Sequence, residues 1–141
     1  MITRKAIREE IVDVLSGLHG SVAVYDGVTP HRLETYATGE IKPYIIVWVG
    51  HGSGLGEMEH LGALADVDSV RASIQTQIVA ANERDVWDVA ELVQRRLTNH
   101  LIGGHPVKPD DLSQPYAAVM VDENVTPHRR FLPLLWNINT Q

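Results

Sequence analysis

Between Ser69 and Leu101 the hydrophobic period changes from two residues to about 3.6 within a few positions, so a half-buried strand must run straight into an amphipathic helix. Val70, Ala72, Ile74, Thr76 and Ile78 alternate with Arg71, Ser73, Gln75 and Gln77, the pattern of a strand with one buried face. Asn82 breaks it. Its side chain can accept from the first free amides of a helix, and Asp85 adds a carboxylate to the positive end of the helix dipole. Val86, Val89, Ala90, Val93, Leu97 and Leu101 then fall on one stripe, which predicts a helix from Glu83 to Leu101 stopped by Gly103 and Gly104. The unit fixes a mixed class, α/β in the α+β sense. It carries no chemistry.

At 141 residues the chain reads as a single domain, 1–141, able to bury a core without covalent staples. It has no cysteine, which excludes disulfides and thiolate catalysis. A formal net charge of −6 argues against a dedicated nucleic-acid binder, because affinity for phosphate backbones comes from clustered Lys and Arg. The longest apolar run, Tyr44 to Val49, is too short to span a bilayer, and charges through the first residues do not suit a signal peptide. The expectation is a soluble, cytoplasmic protein with no membrane partner.

The remaining elements follow from the same rules. Thr3 to Leu18 reads as a helix with Ile7, Ile11, Val14, Leu15 and Leu18 on one side. Val22 to Tyr25 reads as a short strand closed by Asp26-Gly27, a pair suited to positive φ. Val28 to Lys42 reads as an irregular connection. Tyr44 to Val49, opened by Pro43, is apolar enough to be buried on both faces. His105 to Gln114, with two prolines, reads as a further connection, and Tyr116 to Val121 and Leu132 to Ile138 as two more strands. The predicted order is helix, three strands, helix, two strands. One mostly antiparallel sheet, with the N-terminal helix and a second helix packed on one face, accommodates it.

Three features invite a functional reading. The pentapeptide Val28-Thr29-Pro30-His31-Arg32 recurs as Val125-Thr126-Pro127-His128-Arg129. The repeat is one turn solution used twice, since proline presets φ and pushes the preceding Thr to extended backbone, or it is a pair of cationic turns for a partner's acidic surface, with His31, Arg32, His128 and Arg129 as contacts. The segment from about 50 to 68 is glycine-rich and acidic, with no Lys or Arg from His51 to Asp68. A phosphate held by Gly50 to Gly56 would meet like charge, so a mobile loop that orders against a neighbour through Gly52, Gly54, Leu55, Glu57 and Glu59 is the preferred reading. Trp87 flanks the apolar stripe of the second helix. The spacing favours a core position, with an anchor at a subunit interface as the alternative. His51 and His60 lack the spacing of a zinc pair, and Ser53 lacks the strand and helix that flank a nucleophile elbow. Catalytic, cofactor and metal sites are therefore all expected to be none.

The carriers Ile2 to Leu18, Pro43-Tyr44-Ile45-Ile46-Val47, and Ser69 through Leu97 with Trp87-Asp88-Val89-Ala90-Glu91-Leu92 give the chain an element order that resembles the tail terminator, or tail completion, proteins of long-tailed bacteriophages. The resemblance covers most of the chain and rests on patterns of residue type. It implies a tail-terminator-like fold and a virion structural protein of the tail, assembled in the host cytoplasm. Such a protein forms a homo-oligomeric ring, commonly a hexamer, that caps the tail tube, ends its polymerisation and presents a surface for head-tail joining. The implied partners are further copies of itself, the tail tube protein and the head connector protein, with DNA passing through the lumen without specific binding. Alternatives are a head-tail connector or head-closure protein, or a small nucleotide-binding or hydrolytic enzyme using the glycine-rich loop.

Overall fold

The structure, a computed structural model, describes residues 3–18, 22–27, 33–51, 71–110, 119–123 and 128–139. Among them are the helices α1 (Arg4–Ser16) and α2 (Glu83–Leu97) and the strands β1 (Ala23–Asp26), β2 (Tyr44–His51), β3 (Arg71–Ala80), β4 (Leu101–Ile102), β5 (His105–Pro109), β6 (Met120–Asp122) and β7 (Arg129–Asn139). The strands form one seven-stranded sheet in the order β1-β2-β3-β7-β5-β4, with β6 also paired to β7. Only the β1–β2 pair is parallel. The α+β class with a mostly antiparallel sheet is what the periodicities predict.

Both helices start as the sequence requires. The Thr3 hydroxyl accepts from the Ala6 amide at 3.1 Å, and Asn82 Oδ1 accepts from the Asp85 amide at 2.8 Å while its Nδ2 donates to the Asp85 carboxylate. Ile7, Ile11 and Leu15 of α1 and Val86, Val89, Ala90, Val93 and Leu97 of α2 meet the even-numbered residues of β3 and β7 and the odd-numbered Ile45 and Val47 of β2 in one core. Each such aliphatic side chain contributes about 1.5–3 kcal/mol on burial. The sheet thus has one face sealed by both helices. Thr76 is the polar residue in this core: its hydroxyl accepts from Trp136 Nε1 at 3.1 Å and lies 3.4 Å from the Leu134 carbonyl.

Strand β2 is buried on both faces, as its unbroken apolar run predicts. Tyr44 and Ile46 point away from the helices and join Ile41 and Val79 in a second, smaller cluster, against which Leu33, Tyr25, Trp48 and Phe131 pack. Residues 33–42 bring Leu33 and Ile41 there through a narrow turn, bridged at Thr35 and Ile41, with Gly39 at φ 90°.

Five expectations need correction. The second helix ends at Leu97 rather than Leu101, because Asn99 takes φ 63° and turns its amide to the Val107 carbonyl at 2.8 Å. Leu101 consequently leaves the stripe, opens β4 and is 60 % exposed. Gly103 and Gly104, at φ 57° and 84°, form the two-residue turn between β4 and β5 instead of stopping a helix.

Residues 105–109, expected to be a connection, are strand β5. Each proline is paired on one side and turns its nitrogen to the other, where no described ladder partner stands: Pro106 precedes the first residue paired to β7, and Pro109, in phase with Val107, faces the side that β4 has already left. The sixth strand is 120–122, while residues 116–118 of the expected strand lie outside the described residues. Finally, Gly50 and His51, expected to open the loop of about 50–68, extend β2, paired to Ser73 and Ala72, while the rest of that expected loop lies outside the described residues.

Pro133, inside a central strand, obeys the same rule. The Leu135 carbonyl accepts from the Asp110 amide at 2.9 Å, so odd-numbered residues of β7 direct their backbone groups to the β5/β6 side. Between Phe131, paired to β6, and Trp136, paired to β5, no described strand covers that side. The missing donor of Pro133 therefore costs no ladder bond to β3.

Candidate functional site

The face of the sheet turned away from the helices carries the candidate site. Register sets Trp48, Gln75 and Leu135 side by side across β2, β3 and β7, with Gly50 and Ser73 in the next row. They bound an open groove of about 340 Å3, completed by Asp110 and by parts of Ile74 and Trp136. Its platform is fixed, because Trp48 Nε1 donates to the Gly27 carbonyl at 3.2 Å. Gly27 holds φ 73° at the turn after β1, a conformation glycine adopts without strain. A side chain at Gly50 would enter open space, so it is the lack of one that leaves this end of the groove free. Gln75, Ser73 and Asp110 add neutral polar groups and one carboxylate to apolar walls. No cation lines it.

At the opposite end of the same face lies a second group. The Tyr25 and Tyr44 rings meet edge to face with centroids 5.7 Å apart. Arg129 Nη1 donates to the Tyr44 hydroxyl at 3.4 Å, while Arg129 Nε is buried with no hydrogen-bond partner among the described residues. Burial pushes the Tyr44 phenol above its ordinary range, against the opposing charge and hydrogen bond of Arg129. This is a structural use of the arginine: it closes the small cluster at the start of β7.

The predicted site residues divide accordingly. Gly52, Gly54, Leu55, Glu57, Glu59, His31 and Arg32 lie outside the described residues. His128 is exposed just before β7, and Arg129 is committed to Tyr44. The favoured core position for Trp87 is overturned: the side chain is 41 % exposed on α2, and its Nε1 donates to Glu83 on the preceding turn at 3.3 Å. It lies outside the buried stripe of Val86, Val89, Ala90, Val93 and Leu97. Trp48, Gln75 and Leu135 were missed, since each reads as an ordinary strand residue until register sets the three in line.

Among the described residues, no three His, Asp or Glu side chains converge as a metal ion would need, and no helix is long and apolar enough to cross a membrane. The sequence matches no protein-family model, and no curated protein is significantly similar to it.

Proposed function

We propose that the chain is a virion structural protein and not an enzyme: a tail terminator whose copies form a hexameric ring that caps the tail tube, ends its polymerisation and offers a surface to the head connector. The observation that carries this reading is the asymmetry of the sheet. One face is sealed by both helices, while the other keeps an apolar groove open and β1 has no partner on its outer edge among the described residues. An open groove and an unpartnered edge strand are surfaces on which a neighbouring subunit can pack, and a ring built from head-to-tail contacts needs two different patches on every subunit. The net charge of −6 also suits a lumen through which DNA slides without being held. The element order that resembles tail terminators agrees with this. Assembly would take place in the host cytoplasm and end in the virion tail.

The test is deletion of the gene from its phage. Tails of irregular length that fail to join filled heads are expected. Tails of normal length that still attach to heads would remove the terminator role, and normal length with failed attachment would make the protein a head-tail connector.

A further inference from the structure

We draw no further inference here: the strongest candidate, the open groove on the sheet face turned away from the helices, bounded by Trp48, Gln75 and Leu135, adjoins segments outside the described residues, and nothing in the structure shows what covers it.

Discussion

Thr76→Val isolates the one buried polar side chain among the described residues of the helix-covered core. Valine matches threonine in shape, so the packing around Ile74, Ile78 and Leu134 stays filled, but the buried Trp136 Nε1 loses its acceptor at 3.1 Å. A buried donor left without a partner costs about 1–3 kcal/mol, partly offset here by the gain of a methyl group in an apolar site. With about 2.1 cal/mol/K of unfolding entropy per residue, a 141-residue chain has a slope near 0.3 kcal/mol/K. The expected fall in Tm is therefore roughly 3–10 °C. Calorimetry on Thr76→Val, Trp136→Phe and the double variant measures it. Trp136→Phe carries its own cost in lost volume, but once the indole N–H is gone Thr76→Val should be nearly neutral, so the two effects must be strongly non-additive. A Thr76→Val protein melting within about 1 °C of the parent would refute the reasoning, as would an equal cost in both backgrounds.

Three further outcomes are expected. Val93→Asp places a carboxylate at a fully buried position between α2 and the sheet and should cost about 4 kcal/mol or more, seen as loss of a cooperative thermal transition. Asn82→Ala removes the cap of α2 and should cost about 1 kcal/mol in urea unfolding with an unchanged m-value. Burial raises the Tyr44 pKa above 10.0, so the folded state holds that proton more tightly than the unfolded one. The associated stability is fully present below pH 10 and is lost as pH rises through the folded value. Tyr44→Phe should flatten the alkaline decline in denaturant midpoint, and an identical decline in both proteins would exclude Tyr44 as its source.

The sequence alone determined the parts governed by nearest neighbours. Period two over 72–78 and period 3.6 over 86–97 state which residues of β3 and α2 face the core, and Asn82 marks the boundary because capping is a contact across three residues. The unbroken run at 44–49 announced burial on both faces of β2. What it did not determine depends on pairing between distant segments. The prolines at 106 and 109 read as breakers, and only the point at which β4 and β7 stop pairing makes them compatible with a strand. Leu101 continues the apolar stripe by spacing, yet Asn99 turns the chain because its amide finds the Val107 carbonyl, a partner that exists only once β5 is in place. The groove shows the same division. Trp48, Gln75 and Leu135 are far apart in sequence and are brought abreast by register, and a shift of one residue would turn each strand's contribution to the other face. Local chemistry therefore chose the elements and their buried faces, and tertiary pairing decided which surfaces were left open, since an exposed surface is whatever the completed sheet fails to cover.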